Sequence, residues 1–485
     1  MSKINWLSVA PIVIYLVSML YIAHHVSKGK HTSKNFMKEY FLGNRSTGGF
    51  VLAMTIVATY VGASSFIGGP GVAYQTGLGW VLLACIQVPT AFFTLGILGK
   101  KLAILSRKLG AVTIFDIVKK RYNNDIVVIL SSILLIVFFV GAIVAQFIGG
   151  ARLFESLLGI PYIVGLIIFA AVVIIYTTIG GFRAVTITDA IQTVVMLVAT
   201  IVLFFVILRD GNGMHNIMMK IKEINPALLT PSSGGNIAKP FIMSFWVLVG
   251  IGVLALPSNV IRCMAFKDTK AMHRAMIIGT SVVGILILGM HFVGILGLAI
   301  EPDLKVGDTI IPTLALNHLH PVLAGIFIGG PLAAIMSSVD SLLIMISSTL
   351  VKDIYTEYIN KKADNEHIKK VSLFISLSIG IVVFLLSIKP ISLIVWVNLF
   401  SLAGQEIVFL CPLLLGLYWR GANATGVISS IIFGSSFYLY LSITGMSIYQ
   451  MHNIVPSLVL SLTVFIVGSL IGKKTDEKTL ELFFD

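Results

Sequence analysis

Apolar runs of about 20 residues recur along the whole chain, each long enough to cross the roughly 30 Å hydrocarbon layer of a bilayer as a helix. Hydrophobic residues make up 57% of the sequence and charged residues only 11%, against about 25% charged residues in soluble domains. No segment alternates polar and apolar residues over about ten positions, as barrel strands do. The sequence therefore predicts an all-α polytopic membrane protein.

The apolar runs predict about thirteen spans in one transmembrane domain, residues 1–472, followed by a short cytoplasmic tail, 473–485. The first run lacks a strongly charged leader and a small-residue cleavage site, so we expect a retained helix and not a removed signal. The predicted spans are 6–24, 48–75, 80–99, 126–149, 161–180, 186–208, 239–260, 275–299, 321–349, 371–388, 391–418, 424–443 and 454–472.

The net charge of +13 has a topological explanation. Alternate connections between the spans, taken with the C-terminal tail, hold 26 of the 34 lysines and arginines. Positive charge stays on the cytoplasmic side, so this asymmetry predicts an N-terminus outside and a C-terminus inside a cell membrane, and it argues against nucleic-acid binding. The positively charged segments are 25–47, 100–125, 261–274, 350–370 and 473–485, with Arg183 and Arg420.

Two spans are interrupted in a similar way. Span two, between Ala58 and Gly71, is rich in glycine and contains Pro70, and span seven ends its own glycine-containing stretch, from Val249, at Pro257. Glycine also serves close helix packing in membranes. Two broken helices five spans apart, however, are typical of transporters built from inverted repeats, in which opened backbone lines a ligand site.

Ser337 and Ser338 are adjacent hydroxyls within an otherwise apolar span. Hydroxyls and freed backbone carbonyls can hold a monovalent cation without the burial of a full charge, and span two can supply the carbonyls. The alternative is that each serine bonds back to a carbonyl of its own helix, which is common in membrane helices.

Three carboxylates lie within spans or at their ends: Asp189, Asp340 and Glu406. Ionisable groups at this depth usually mark an ion or substrate path. Asp189 and Asp340 are therefore candidates for the ion pathway. The alternative for Asp189 is a carboxylate at the cytoplasmic mouth balanced by Arg183, and for Glu406 buried structural pairing is as good an explanation as function.

Other function classes find little support. No metalloprotease, nucleophile-elbow or Walker motif is present, so an enzyme is not expected. No repeated filter motif suggests a channel, and the predicted tail is too short for a signalling module. Cys85, Cys263 and Cys411 lack metal-ligand spacing and suit helix packing. No obligate protein partner is indicated.

Several long segments resemble the solute:sodium symporter family. The resemblance implies a LeuT-type core of two inverted five-helix repeats, approximately 48–418, with extra helices at both ends. The segments that carry it are Tyr176–Gln192, Ala333–Ser338, Ser347–Tyr355, Glu39–Ser46, Ala63–Gly71, Gly77–Ala84, Gln146–Leu153 and Arg262–Arg274.

The resemblance also implies a site for Na⁺, the co-transported ion. Its ligands would be backbone carbonyls of Ala58 and Val61 in span two, with the carbonyl of Ala334 and the hydroxyls of Ser337 and Ser338 in span nine. Asp189 matches a family carboxylate that is associated with sodium on the cytoplasmic side.

Within the family the segments are most similar to the branch that carries pantothenate. The resemblance thus implies Na⁺-coupled symport of pantothenate by alternating access, with another small solute (proline, a monocarboxylate or a sugar) as the alternative. Some relatives carry an acidic residue where this chain has Tyr60 or Ser64, so substrate contacts have to be chosen from this sequence. The candidates are Ser64, Ser65, Gln146 and Trp246, the last as a lid.

Overall fold

The computed structural model describes residues 6–27, 42, 45, 47–389 and 394–484, without the side chains at 6, 8, 23, 24, 26, 27 and 179–184. The start of the predicted eleventh span at 391 and most of the segments 25–47 and Glu39–Ser46 lie outside the described residues. So does the side chain of Arg183. The described chain is almost entirely helical, as the composition predicts.

The described residues form twenty α-helices. The first ten are α1 (Trp6–Ser27), α2 (Gly49–Tyr60), α3 (Gly69–Thr76), α4 (Leu78–Cys85), α5 (Thr90–Phe93), α6 (Lys100–Lys108), α7 (Ile114–Tyr122), α8 (Asp125–Leu158), α9 (Tyr162–Asp210) and α10 (Met214–Ile224). The second ten are α11 (Lys239–Trp246), α12 (Pro257–Ala265), α13 (Thr269–Gly297), α14 (Ile310–His318), α15 (Pro321–Ser348), α16 (Asn365–Leu386), α17 (Ile394–Tyr418), α18 (Ala424–Thr444), α19 (Ile454–Ile471) and α20 (Glu477–Phe484).

Short π and 3₁₀ segments join some of these helices. The π segments are Ser64–Gly68, Thr94–Gly99, Val247–Ile251 and Thr349–Ile359. The 3₁₀ segments are Pro226–Leu229, Ser233–Gly235, Gly252–Ala255, Gly307–Thr309 and Ile448–Gln450.

Many of these helices are long and apolar enough to cross a membrane. Within the described ranges nine single helices satisfy both conditions, and two bent pairs raise the number to eleven. Two shorter apolar helices, Val9–Ile22 and Tyr162–Thr178, come in addition. The prediction of a multi-pass helical protein is confirmed, whereas the count of thirteen spans stays a prediction.

The backbone of α9 is helical over 49 residues, yet it does not run straight. The hydroxyls of Tyr176 and Thr188 are 3.0 Å apart, although a straight helix would separate residues twelve positions apart by about 18 Å. The chain therefore turns back between these two residues. This fits the sequence prediction of two separate spans, 161–180 and 186–208.

The two interrupted spans are broken at the predicted places. The first bends by 69° between α2 and Ser64–Thr76, and Val61 at the break has the extended angles φ −87° and ψ 100°. The second bends by 41° between Lys239–Ala255 and α12, where the extended Leu256 precedes Pro257. A proline lacks the N–H that would continue the helix, which explains this second break.

Helix α15 lies at the centre of the bundle. It packs against α1, α2, α8, α9 and α16. The most apolar stretch of the span Pro321–Ile359 is 83% buried, against 28% for the peripheral α16. A helix that is apolar on all sides is stable only when other helices surround it or lipid does, so α15 carries Ser337 and Ser338 into the protein interior.

The loops that are rich in lysine and arginine meet at one end of the bundle, which we call the basic end. Arg107 Nη2 donates to the Phe266 carbonyl at 2.6 Å, and Lys119 Nζ lies 2.5 Å from Glu357 Oε1. Helix α20 of the predicted tail joins them, since Lys108 Nζ donates to the Leu482 carbonyl at 3.1 Å.

The loops at the opposite end also contact one another. Tyr74 donates its hydroxyl to the Glu301 carbonyl at 2.8 Å, and His318 Nδ1 lies 2.9 Å from Asp210 Oδ2. The connections of the chain therefore alternate between the two ends, as the charge pattern requires. Which end faces the cytoplasm remains a prediction.

Cysteine labelling tests this grouping of loops. In a background with Cys85, Cys263 and Cys411 replaced by serine, we expect a membrane-impermeant maleimide to reach Lys361→Cys and Lys478→Cys from one side of the membrane. We expect Lys220→Cys and Lys305→Cys to react from the other side, because all four positions are exposed and each pair shares an end. Labelling of 361 together with 220 from one side would contradict the fold.

Candidate functional site

The break in the first interrupted span frees backbone carbonyls of α2. In a continuous helix the amide of Ala63 would bond to the Thr59 carbonyl, but it donates to Gln146 Oε1 at 2.7 Å. The amide of Ser65 would bond to the Val61 carbonyl, but it donates to the Gly62 carbonyl at 3.0 Å. The carbonyls of Thr59 and Val61 are thus released from the helical pattern, and Gln146 of α8 holds the break in place.

The serine pair of α15 meets this opened backbone. Ser337 donates its hydroxyl to the Ala58 carbonyl at 2.8 Å and lies 3.1 Å from the Ala334 carbonyl. Ser338 Oγ lies 3.1 Å from the same Ala334 carbonyl and 3.5 Å from the carbonyl of Thr59. Four of the five predicted sodium ligands are therefore neighbours, and the fifth, Val61, is the buried residue at the break.

This cluster consists of neutral oxygens. Carbonyl and hydroxyl oxygens suit a hard cation, and a site without carboxylates suits a monovalent one. No group of three or more His, Cys, Asp or Glu side chains able to hold a metal occurs in the part of the chain that the structure describes. The bonds of both serines to carbonyls of their own helix, the alternative from the sequence, are also present.

A central cavity borders the cluster. Ser338 lines it together with three of the predicted substrate residues, Ser64, Ser65 and Gln146. Its other polar lining residues are Thr59, Tyr60, Gln87, Ser258, His291, Asn398 and Gln405. Asn398 Nδ2 donates to Ser64 Oγ at 3.0 Å, and Tyr60 donates to Gln87 Oε1 at 3.0 Å. No Lys, Arg, Asp or Glu belongs to this lining.

Trp246, the residue predicted as the lid, points away from the cavity. Its side chain is 47% exposed and does not line the cavity, whereas the adjacent Phe245 does. Successive helical residues point about 100° apart, so only one of the two can face inward. Trp80 supplies the indole instead, with its ring centroid 5.3 Å from that of Phe245.

A wide vestibule lies beyond Trp80 towards the opposite end. Its volume is about 710 Å³, against about 80 Å³ for the central cavity, and Trp80 and Leu399 belong to the walls of both. The vestibule is lined in part by the connection between α18 and α19, including His452. Burial lowers the pKa of His452 to about 4, so its ring is neutral at physiological pH.

On the other side of the sodium cluster, towards the basic end, Asp189 and Arg262 form an ion pair. Arg262 Nη2 lies 3.3 Å from Asp189 Oδ2, and the two side chains are 2% and 0% exposed. The Thr55 hydroxyl donates to the same carboxylate oxygen at 2.5 Å. The sequence offered Arg183 as the balancing charge, and the structure assigns that role to Arg262.

The guanidinium of Arg262 joins four helices. From α12 it donates to Thr55 Oγ1 of α2 at 3.1 Å and to Ser341 Oγ of α15 at 2.7 Å, in addition to Asp189 of α9. Ser341 Oγ in turn lies 3.1 Å from Thr59 Oγ1, one residue from a sodium ligand. The network thus ties one half of each broken span, α2 and α12, to the helix that carries Ser337 and Ser338.

Asp340 lies on a different face of α15. It accepts hydrogen bonds from Tyr176 and from Thr177 Oγ1, the latter at 2.5 Å, and both donors belong to α9. Ser337, Ser338 and Ser341 face α2 instead. Asp340 therefore fastens α15 to α9, and its place in the ion pathway stays a prediction.

Sequence reasoning missed Thr59, Trp80, Asn398 and Arg262. Thr59 directly follows the predicted ligand Ala58, and Trp80 lies in Gly77–Ala84, one of the segments that resemble the family. These positions in the sequence were the available signals for the two residues. Arg262 counted as a loop charge, although it is only five residues after the break at Pro257. Asn398 gave no local signal.

Comparison with known proteins shows that the sequence is similar to those of a family of transporters. Residues 40–434 match the model of the Sodium:solute symporter family. The chain is 48% identical over 475 residues to the sodium/pantothenate symporter of Haemophilus influenzae, covering 97% of this chain and 98% of that protein. It is 47% identical to the sodium/pantothenate symporter of Escherichia coli (97% and 98% covered) and 30% identical to the osmoregulated proline transporter of Bacillus subtilis (97% and 96%).

A solved structure shares the fold. The substrate-bound outward-open state of a Na⁺-coupled sialic acid symporter matches with a TM-score of 0.83 at 19% identity, covering 98% of this chain and 99% of that one. The likeness confirms the predicted fold class, an all-α LeuT-like fold.

The buried pair predicts strong coupling between its partners. We expect Arg262→Met to lower the free energy of unfolding by about 3–5 kcal/mol, because it leaves the carboxylate of Asp189 buried without a cation. The double variant with Asp189→Asn removes that charge and recovers most of the loss. A thermal-unfolding double-mutant cycle in detergent measures the coupling.

The matched control is Arg152→Met, which breaks an exposed pair with Glu155. Exposed pairs contribute only about 0–1 kcal/mol, so this variant should unfold near the wild-type temperature. Additive effects of Arg262→Met and Asp189→Asn would show that the two side chains do not act as a pair.

Proposed function

Because the chain belongs to the sodium:solute symporter family, we propose that it takes up pantothenate together with Na⁺ across the cell membrane by alternating access. Two relatives about 48% and 47% identical over nearly their full length are named sodium/pantothenate symporters, which supports this substrate. The observation that carries the mechanism is the contact of the Ser337 hydroxyl with the Ala58 carbonyl.

Na⁺ bound at the contact between Ser337 and Ala58 would be a transported ion and not a resident cofactor. Its ligands would be the carbonyls of Ala58, Val61 and Ala334 and the hydroxyls of Ser337 and Ser338. All are neutral, so a bound cation is stabilised by dipoles and leaves no buried negative charge behind when it departs. This suits a site that has to release its ion in every cycle.

Coupling follows from the position of the site between two helices. An ion that binds between α2 and α15 stabilises the conformation in which they lie together. Only a difference in affinity between conformations can shift their populations. Na⁺ would therefore favour the state in which the break near Ser64 is ordered and the central cavity is formed.

The two ends of the cavity suggest the direction of transport. The vestibule leads from the opposite end to Trp80, while the Arg262 network closes the basic end. We assign the basic end to the cytoplasm, in keeping with the positive-inside rule. Release to the cytoplasm would then require Arg262 to leave Asp189, and the freed carboxylate would attract Na⁺ on its way inward.

Recognition of the pantothenate carboxylate needs dipoles, since no cationic side chain lines the cavity. The second half of the broken span begins at Ser64, and the start of a helix presents amides and a partial positive charge. Ser64, Ser65 and the amide nitrogen of Gln146 add hydrogen-bond donors there. Trp80 and Phe245 would close over the apolar part of the substrate.

The net charge moved in each transport cycle determines whether the membrane potential can drive uptake. One Na⁺ with one monoanion is electroneutral, whereas each net positive charge moved inward releases about 2.3 kcal/mol per 100 mV. Uptake driven by the potential therefore requires a second cation.

Proline is the second candidate substrate, because the Bacillus subtilis relative at 30% identity is a proline transporter. Competition separates the two. Excess unlabelled pantothenate should abolish Na⁺-dependent uptake of labelled pantothenate in proteoliposomes, and excess proline should leave it unchanged.

The sodium site predicts a change in Na⁺ affinity. We expect Ser337→Ala and Ser338→Ala each to raise the Na⁺ concentration for half-maximal uptake at least tenfold, about 1.4 kcal/mol, because each removes a ligand oxygen. Ser348→Ala is the control, since its hydroxyl bonds to the Met345 carbonyl of the same buried helix, away from the site. Unchanged Na⁺ dependence in both site variants would refute the site.

The aromatic wall predicts a difference between two tryptophans. Trp80→Ala should raise the KM for pantothenate about tenfold or more, because the indole covers the cavity. Trp246→Ala should leave KM within about twofold of wild type, because that side chain faces away from the cavity. Uptake kinetics at saturating Na⁺ measure both, and the reverse ranking would contradict the assignment.

A further inference from the structure

Glu406 is a buried carboxyl without a partner. It lies on α17 with 0% of its surface exposed. Neither of its side-chain oxygens has a hydrogen-bond partner among the described residues. Structural pairing, one of the two explanations that the sequence left open for Glu406, thus finds no partner among the described side chains. Buried polar atoms are nearly always satisfied, so an exception of this kind points to a ligand.

The carboxyl lies against the second broken span. A Cβ atom at Gly252 would be 1.9 Å from Glu406 Oε2 and 2.3 Å from its carboxyl carbon, so only glycine fits there. Gly252 is where the π segment Val247–Ile251 gives way to the 3₁₀ segment Gly252–Ala255, one turn before the break at Leu256. The carboxyl thus touches a backbone that has left α-helical geometry.

This contact is directly behind the wall of the central cavity. Val249 and Leu256, on either side of Gly252 in sequence, line the cavity, and so does Gln405, the neighbour of Glu406. The lining holds no cationic side chain. A negative charge on Glu406 would therefore repel an anionic substrate with little screening.

Among the described residues, no cation lies next to Glu406 to balance its charge. Of the titratable side chains on packed helices, the phenols of Tyr60 (α2) and Tyr438 (α18) lie close enough to feel the charge of this carboxyl. The segments Ser64–Gly68 and Val247–Ala255 and helix α19 contain no titratable residue. Arg121 and Tyr122 of α7 contact α17 further along, at the carbonyls of Gly416 and Pro412. The remaining titratable residues near these elements are Asp125, Arg152 and Glu155 of α8, Cys411 and Tyr418 of α17, Tyr440 of α18, and Glu477, Lys478 and Glu481 of α20.

A proton is the cation that fits this site. A metal ion needs several oxygen donors, whereas neither carboxyl oxygen has a hydrogen-bond partner and no group of three or more His, Cys, Asp or Glu side chains occurs among the described residues. A proton needs one oxygen and removes the cost of a buried charge. We propose that Glu406 binds a proton from the outer medium when pantothenate binds, and releases it on the cytoplasmic side as span seven changes its bend.

The chemistry is a simple proton transfer. An O–H bond forms at the carboxylate when the outward-facing site loads, and it breaks when the carboxyl meets water on the inner side. The proton supplies the second positive charge that makes uptake of a monoanion with one Na⁺ electrogenic. This inference rests on the proposed function, and the experiment below separates the two.

Proteoliposomes loaded with a pH-sensitive dye test the proposal. With an inward Na⁺ gradient at pH 7, uptake of labelled pantothenate by the wild type establishes the proposed function. The proposal adds that this uptake acidifies the lumen and that the wild-type KM rises about tenfold as the pH is raised and Glu406 ionises beside the anion. A wild type that takes up pantothenate without acidification overturns the proton site and leaves Na⁺ symport intact.

Variants assign the proton to this residue. Glu406→Gln is permanently neutral, so it should keep a low KM at every pH and should transport without acidifying the lumen. Glu406→Asp keeps a carboxyl, so it should retain acidification with a shifted pH profile, which covers the case in which the glutamine variant folds poorly. Asp308→Asn, at a partly buried carboxyl of the opposite end whose pKa is raised by burial, is the control with a wild-type profile. Acidification that persists in Glu406→Gln, or that disappears in Asp340→Asn instead, overturns the assignment.

Discussion

The contact between the Ser337 hydroxyl and the Ala58 carbonyl is the interaction on which the rest of the structure depends. It joins the most buried helix of the bundle to a helix whose backbone is opened three residues later, and it does so with neutral groups. A hydrogen bond of this kind can be replaced by a cation held by the same two oxygens. Helix breakage in span two would therefore be the source of the proposed ligands, and the burial of α15 would favour an ion that has lost its water.

Two polar networks flank this contact and connect it to the moving parts. Towards the basic end, Arg262 bonds to α2, α9 and α15 from the second half of span seven, so the cavity cannot open there while the guanidinium stays in place. Behind the cavity, Glu406 touches the first half of the same span at Gly252. Arg262 and Glu406 thus lie on the two sides of the break in span seven. This arrangement makes the bend of span seven the step at which ion, proton and substrate are released together.

Local sequence signals predicted a large part of this site. Glycine and proline mark backbone that cannot continue as a helix, which placed both breaks, and adjacent serines in an apolar run placed the oxygens of α15. Ser64, Ser65 and Gln146 likewise line the cavity. Trp246 lies outside the cavity wall because a shift of one residue turns a side chain by about 100°, and the phase of α11 is set by packing against other helices. The Asp189–Arg262 pair spans 73 residues of sequence, and no local pattern specifies such a pairing. Glu406 is isolated because the described side chains around it offer no hydrogen-bond partner. Which side chains surround it is decided by the fold, so the sequence alone could not predict this.

Transport against a gradient tests the central claim most directly. Purified protein in proteoliposomes should accumulate labelled pantothenate above the external concentration when an inward Na⁺ gradient is imposed, and dissipation of that gradient by a sodium ionophore should release the accumulated substrate. An equal K⁺ gradient should give equilibration at most, because the site between α2 and α15 would then lack its ion. Accumulation that is the same with K⁺ as with Na⁺, or no accumulation with either, would contradict the account.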